Sequence, residues 1–172
     1  MTGKVLGVAG WSGSGKTTLI CALILLFIAR GLTVSTFKHT HHDIDPDPPG
    51  KDSRRHREAG AREGHAGGTA ARRDRGEMAG NAPSAGALLA ALRPVDLVLI
   101  EGFRDENHPK IEVSGAPRWA SPAFVLDAAI LSAVATVRED KAMVEQTTAV
   151  PVFEMGDPAG VAAFLVERLG IA

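Results

Sequence analysis

The chain has 172 residues, of which 45% are apolar and 23% charged, which suits one globular domain spanning 1–172 with a variable segment at 39–81. Its formal net charge of −1 gives no field that favours nucleic acid or an anionic membrane as a partner. The single cysteine, Cys21, excludes an internal disulfide and is typical of a reducing, cytoplasmic compartment.

The first predicted elements are a strand, a helix and a second strand. Lys4–Ala9 is a short apolar run before a glycine-rich loop, as in a buried strand. Residues 17–30 predict a helix that ends at Gly31 and, being apolar on nearly every face, should be covered by neighbours. Its apolar run is too short to span a bilayer. Residues 32–37 alternate β-branched side chains and predict a second strand, parallel to the first.

The middle of the chain is less regular. Residues 38–51 hold histidines, aspartates and prolines and predict a loop. Residues 52–60 predict a short charged helix, and 65–81 leave open a weak strand or a loop. The remaining predicted elements are a helix at 84–92, a buried strand at 95–100, strands at 110–113, 129–137 and 152–155, and a helix at Pro158–Leu169 begun by Asp157. Strands alternating with helices predict an α/β fold with a mostly parallel sheet covered on both faces.

Residues 10–17 (GWSGSGKT) match the P-loop pattern G-x-x-x-x-G-K-[ST], with a strand before them and a helix after. The glycines let successive backbone N–H groups point at phosphate oxygens, and the helix N-terminus adds unpaired donors. Lys16 would bring a positive charge to the outer phosphates, as a candidate catalytic residue, and the Thr17 hydroxyl is a candidate Mg²⁺ ligand. The residues predicted to bind the nucleotide are Ser12, Gly13, Ser14, Gly15, Lys16, Thr17 and Thr18.

Acidic residues should complete the metal site. Glu101 directly follows a buried strand, at the end that faces the ligand crevice of a parallel sheet. Its carboxylate would hold Mg²⁺ directly or through water, or orient an attacking water, which makes Glu101 the second candidate catalytic residue. A second acid is expected from Asp43, Asp45 or Asp52, the last of which also suits a helix cap. Asp96, at the other end of the strand, is expected to be a surface residue.

The loop after the second strand carries His39, His41 and His42. Imidazoles bind zinc, but this spacing is not a well-attested zinc pattern, and no cysteine pair supplies further ligands. Binding of an anion or a protein, and a solvated loop without a ligand, remain open beside the metal hypothesis.

Several linked motifs together resemble the molybdopterin-guanine dinucleotide biosynthesis adaptor family. They are GWSGSGKTTL at 10–19, KHTHHDID at 38–45, PGKDSRRHREAGA at 49–61, LVLIEGF at 97–103 and PKIEV at 109–113. The resemblance implies a P-loop NTPase fold, GTP with Mg²⁺ as ligands, weak intrinsic hydrolysis and a homodimer. It also implies a role in assisting the guanylyltransferase that joins GMP to molybdopterin. The basic stretch at 51–77 is a candidate docking face for an anionic pterin such as molybdopterin or for the partner enzyme, with a solvated helix surface as the alternative. In related P-loop proteins the Mg²⁺ ligands correspond to Thr17, Asp52 and Glu101.

The chain departs from that family pattern in two places. Residues 66–71 (AGGTAA) lack the apolar strand that the family usually has after the AGA segment. Residues 136–140 (TVRED) only distantly match the guanine-reading motif, so Thr136 and Asp140 are weak candidates for base recognition, and GTP over ATP rests on the resemblance.

Two other functions compete with an adaptor. A small-molecule kinase or synthetase would need a substrate lid, which only 39–81 would supply. A metal-delivery GTPase also combines a P-loop with histidines, but usually has a longer histidine-rich tract or a cysteine-containing metal motif.

Overall fold

The computed structural model describes residues 3–39, 52–62, 64–67, 86, 89, 92–102, 107–114 and 131–171; at 39, 52–54, 64–67 and 131 it describes the backbone alone. Within these residues the strands are β1 Lys4–Ala9, β2 Val34–His39, β3 Gly64–Gly67, β4 Leu97–Glu101, β5 Lys110–Ser114, β6 Leu131–Thr136 and β7 Val152–Glu154. The helices are α1 Lys16–Ala29, α2 Asp52–Glu58, α3 Lys141–Glu145 and α4 Pro158–Leu169, with a 3₁₀ turn at Arg138–Asp140.

The strands form one seven-stranded sheet in the order β3-β2-β4-β1-β5-β6-β7. Each neighbouring pair in this sheet is parallel. The carboxyl ends of the strands therefore lie at one edge, and β1 lies centrally, between β4 and β5. The predicted α/β architecture with a mostly parallel sheet is confirmed.

One face of the sheet, here called the α1 face, carries the main core. Leu6 and Val8 of β1 pack there with side chains of α1 such as Leu23 and Phe27, and α4 adds Leu165. All five are fully buried. Because strand residues alternate between faces, Leu97 and Leu99 of β4 also point to this face.

The opposite face carries two smaller apolar clusters. Phe37 packs with Val98 and Ile100 in one of them, and Val134 of β6 packs with Val144 of α3 in the other. Helical elements therefore lie on both faces, as predicted for a buried parallel sheet.

Local signals explain where the helices end. Asp157 caps α4, its Oδ1 accepting the N–H of Gly160 at 2.9 Å, and Pro158 is the first helical residue. Gly170 ends α4 at φ 61°. The α4 bounds agree with the prediction, and Gly31, at φ 81°, follows α1 as expected.

The structure differs from the sequence prediction in β2, α1 and α3, and it settles the alternative left open from residue 65 in favour of a strand at its start. β2 continues through Lys38 and His39, which the sequence places in a loop. Gly64–Gly67 forms β3 by pairing with β2, although its side chains give no strand pattern, because the backbone of β2 supplies the hydrogen bonds. The short α3 was not predicted. The expectation that α1 is covered all round is wrong at Leu25 and Ile28, which are 57% and 37% exposed.

None of the helices in the described part of the chain has the length and apolarity needed to cross a membrane.

Candidate functional site

The P-loop joins the carboxyl end of β1 to the first turn of α1. Gly15 precedes α1 in a left-handed conformation, φ 97°, and no side chain of the described residues caps this helix. The N–H of Ser14 donates to the Trp11 carbonyl at 3.2 Å, which closes the turn. The first turn of α1 therefore lies without a side-chain cap at the positive end of the helix dipole, an arrangement that suits an anion.

Two glycines of this loop lie close against neighbouring segments. A Cβ built on Gly10, which has φ 138°, would lie 2.3 Å from the Val113 carbonyl oxygen of β5. A Cβ on Gly15 would lie 2.5 Å from Cε of Met155, in the segment between β7 and α4. The P-loop therefore packs against β5 at Gly10 and against the segment after β7 at Gly15.

The polar side chains of the P-loop differ in their exposure and in their hydrogen bonds. Lys16 Nζ donates to the Trp11 carbonyl at 2.7 Å, so the ammonium lies across the loop. The Ser14 hydroxyl is 4% exposed and has no hydrogen-bond partner within the described residues. Thr17 is half-buried, and Ser12, Gly13 and Thr18 are exposed. A buried hydroxyl without a partner is costly, and a phosphate oxygen would satisfy it.

Glu101 lies where the sequence placed it, at the carboxyl end of β4. In the sheet register it is opposite Val8 of β1 on one side and Lys38 of β2 on the other. It follows Leu97 and Leu99 in the strand alternation, so its side chain belongs to the α1 face. The residue is only 6% exposed, and a buried carboxylate needs compensating charge.

Two side chains that the sequence analysis does not select lie beside the Glu101 carboxylate. Lys38 Nζ lies 3.2 Å from Glu101 Oε1, and His56 Nε2 of α2 lies 4.0 Å from Oε2. Oε2 accepts no hydrogen bond from any described residue. The sequence predicts a loop at Lys38 and a short charged helix around His56, although both residues belong to the motifs of the family resemblance.

The sequence profile described as "Molybdopterin guanine dinucleotide synthesis protein B" matches residues 5–137, which include the P-loop, Lys38 and Glu101. The chain belongs to this family. The "Molybdopterin-guanine dinucleotide biosynthesis adapter protein" of Escherichia coli (strain K12) is 35% identical over 179 residues, covering 97% of this chain and 96% of that protein. The expected family is confirmed.

Solved structures agree on the fold of this family member. A MobB protein homologue from Bacillus stearothermophilus is similar with a TM-score of 0.58 and 22% identity, over 98% of this chain and 99% of that one. HypB from Helicobacter pylori, solved in complex with nickel, is similar with a TM-score of 0.61 and 20% identity, over 98% and 87% of the two chains. At these identities the likeness shows the fold.

The remaining metal candidates are only partly described in this MobB-family chain. Asp52 is the first residue of α2, one helical turn before His56 and on the same side of the helix, and its side chain is not described. Asp43, Asp45, His41 and His42 lie outside the described residues, and His39 is described by its backbone in β2.

The candidates for base recognition lie at the same edge of the sheet. Thr136 ends β6 and is fully buried, and its Oγ1 has no hydrogen-bond partner within the described residues. Asp140 closes the following 3₁₀ turn and is half-buried. Beside them, Arg138 Nε donates to Glu154 Oε2 of β7 at 3.0 Å. Base recognition by Thr136 and Asp140 stays a prediction.

Asp96, at the amino end of β4, lies away from this edge and is exposed as expected. Its Oδ2 accepts the Thr33 backbone N–H at 2.7 Å and the Thr33 hydroxyl at 2.6 Å. The side-chain hydrogen bond from Thr33 is the largest cause that lowers the pKa of Asp96. The residue fixes the starts of β2 and β4 to each other.

A second polar group lies on the face opposite α1. Lys110 of β5 is fully buried, and its Nζ donates to the His108 carbonyl at 3.3 Å. The His108 imidazole packs against Gly7 of β1, where a built Cβ would lie 2.5 Å from Nε2. Burial, and then the charge of Lys110, lower the pKa of His108 to about 4. This group lies where β1 and β5 pair, on the face opposite α1.

The residues on the α1 face fit Mg²⁺ with a nucleoside triphosphate. The loop offers backbone donors, a buried hydroxyl on Ser14 and the ammonium of Lys16 to phosphate, while Thr17 and Glu101 offer oxygen atoms to a hard cation. Mg²⁺, when bound, would neutralise part of the phosphate charge.

Proposed function

We propose that this chain binds GTP with Mg²⁺ on the P-loop at residues 10–17 and acts as an adapter protein in molybdopterin guanine dinucleotide synthesis. Membership in the family supports the pathway, and the sequence resemblance supports GTP as the nucleotide. We also propose that the chain works in the cytoplasm.

The observation that carries the proposal is the position of Glu101. A carboxylate that is 6% exposed ends the strand beside β1 and lies on the face where α1 begins after the P-loop. Burying a carboxylate at a strand end is costly in free energy, so a buried carboxylate is expected there when it takes part in binding. A carboxylate at this edge suits Mg²⁺ that is bound to the phosphates on the loop.

The residues take separate parts in this proposal. Lys16 and the first-turn N–H groups of α1 hold the phosphates. Thr17, Glu101 and Asp52 hold Mg²⁺ directly or through water. We expect hydrolysis to be slow, because an adapter uses the nucleotide for binding and not for rapid turnover.

Calorimetric titration of the pure protein tests nucleotide and metal together. GTP and ATP are compared with and without Mg²⁺, and we expect binding that favours GTP and depends on Mg²⁺. Glu101→Gln should weaken the Mg²⁺ dependence, since it removes a negative charge from the metal site. Glu167→Gln makes the same chemical change at an exposed position of α4 and should leave the titration unchanged. An absence of heat with any Mg-nucleotide would refute the proposal.

A reconstituted synthesis assay distinguishes the adapter from a phosphoryl-transfer enzyme. We expect the chain to raise the yield of molybdopterin guanine dinucleotide from the guanylyltransferase, and Lys16→Ala to lose that effect. Rapid phosphate release that depends on a small-molecule acceptor would instead favour a kinase or synthetase. We further propose a homodimer, which light scattering at several protein concentrations will test.

A further inference from the structure

The ion pair between Lys38 and Glu101 joins two side chains on the α1 face, at the carboxyl ends of β2 and β4. The nitrogen and Oε1 are 3.2 Å apart, with side-chain exposures of 23% for Lys38 and 8% for Glu101. Lys38 thus neutralises a buried carboxylate and keeps partial access to solvent. The pair forms across β2 and β4, whose register sets the two residues opposite each other.

Lys38 also lies on the α1 face of the sheet, the face on which α1 follows the P-loop. Val34 of β2 belongs to the α1-face core, and strand alternation places Lys38 on that same face. Glu101 separates it from β1, and the P-loop follows β1 directly. A lysine ammonium is a compact charge on a flexible stem, so it can leave one oxygen for another close by without moving its backbone.

The arrival of Mg²⁺ at Glu101 would change the balance of charges at Lys38. A divalent cation beside the carboxylate both replaces the ammonium as counter-ion and repels it. The same Mg²⁺ brings the outer phosphates of a triphosphate, which carry more negative charge than the carboxylate does. The displaced ammonium then has a stronger partner within the same site.

We propose that Lys38 is a phosphate-binding residue which pairs with Glu101 in the nucleotide-free protein and with the terminal phosphate when Mg·GTP is bound. This inference rests on the proposed GTP binding. It makes Lys38 the residue that distinguishes a triphosphate from a diphosphate, because GDP has no phosphate at that position. Lys38 therefore couples the loading of the metal site to the identity of the nucleotide.

A double-mutant cycle separates this role from a purely structural one. Affinities for GTP and GDP are measured in excess Mg²⁺ with the full chain, for the wild type, Lys38→Met, Glu101→Gln and the double variant. The double variant removes both charges of the pair, so no carboxylate is left buried without a partner. Thermal unfolding of each variant shows that it is folded. Lys4→Met, an exposed lysine at the opposite end of the sheet, is the matched control.

We expect Lys38→Met to lower the affinity for GTP about tenfold or more and that for GDP about threefold or less, from the loss of one hydrogen bond to a charged group. The same fall in the GTP-to-GDP preference should occur in the Glu101→Gln background, where no ion pair remains to be broken. If Lys38→Met leaves that preference unchanged in the Glu101→Gln background, Lys38 is only a counter-ion for Glu101 and the inference is wrong. A wild-type protein that binds neither nucleotide would instead reject the proposed function itself.

Discussion

Replacement of Gly15 by alanine tests whether the P-loop is held against the segment after β7. Gly15 has φ 97° and Gly13 has φ 78°, so an alanine at either position adopts a left-handed conformation that costs about 1–2 kcal/mol. Only Gly15 has a neighbour: its built Cβ lies 2.5 Å from Met155 Cε, whereas nothing lies within 4 Å of that on Gly13. The contact is with the flexible end of a side chain, so overpacking adds about 1 kcal/mol, the low end of its range.

Denaturant unfolding without nucleotide measures both costs. We expect Gly13→Ala to destabilise the fold by about 1–2 kcal/mol and Gly15→Ala by about 2–3 kcal/mol. The gain from a stiffer unfolded chain is common to both substitutions and does not affect their difference. In a Met155→Ala background the extra cost at Gly15 should disappear, while the cost at Gly13 stays the same.

Equal losses of stability in the two alanine variants would contradict this contact, and so would a cost at Gly15 that Met155→Ala does not reduce. Either result would mean that Met155 does not rest on the phosphate loop. In that case the conformation at Gly15 would depend on backbone preference alone.

Three further predictions follow from particular side chains. Lys16→Ala should lower the affinity for Mg·GTP about a hundredfold, because a charged hydrogen bond to phosphate is lost, and wild-type binding in calorimetry would contradict the site. Asp157→Ala should cost about 1 kcal/mol in denaturant unfolding by removing the cap of α4, whereas Asp157→Asn keeps an acceptor and should cost less. Stability should fall as the pH drops from about 6.5 towards 4, because the unfolded chain then binds a proton that folded His108, with its pKa of about 4, does not. Since His108 is only half-buried, we expect this loss of unfolding free energy to be about 1 kcal/mol. It is measured by comparing the pH dependence of the unfolding free energy of the wild type with that of His108→Gln. Parallel pH profiles would exclude this role for His108.

The sequence predicted best those elements whose ends carry their own signals. Lys4–Ala9 is a strand with the predicted bounds, since an apolar run meets a glycine-rich loop there. Pro158–Leu169 is likewise a helix as predicted, because the cap and the proline fix its start. The P-loop was located by the same kind of local pattern, in which residue types and spacing carry the information.

The sequence could not predict features that depend on contact between distant segments. β3 has almost no side-chain pattern and exists because β2 presents unpaired backbone groups. Lys38 and His56 meet Glu101 only through the strand order and the packing of α2 on the sheet. Apart from the motifs of the family resemblance, nothing in their neighbours along the chain distinguishes them from a loop lysine and a surface histidine.

The register of β2 connects the core of the protein to its candidate site. Val34 is buried on the α1 face and Phe37 on the opposite face. A shift of one residue in the pairing of β2 would therefore turn each side chain to the other face, away from the apolar cluster in which it packs. The same shift would turn Lys38 away from Glu101 and leave that buried carboxylate without its counter-ion. The apolar pattern that makes β2 a stable strand therefore also places Lys38 on the α1 face, beside Glu101. Substitutions at Val34 or Phe37 that loosen this register should weaken nucleotide binding without touching any residue of the site.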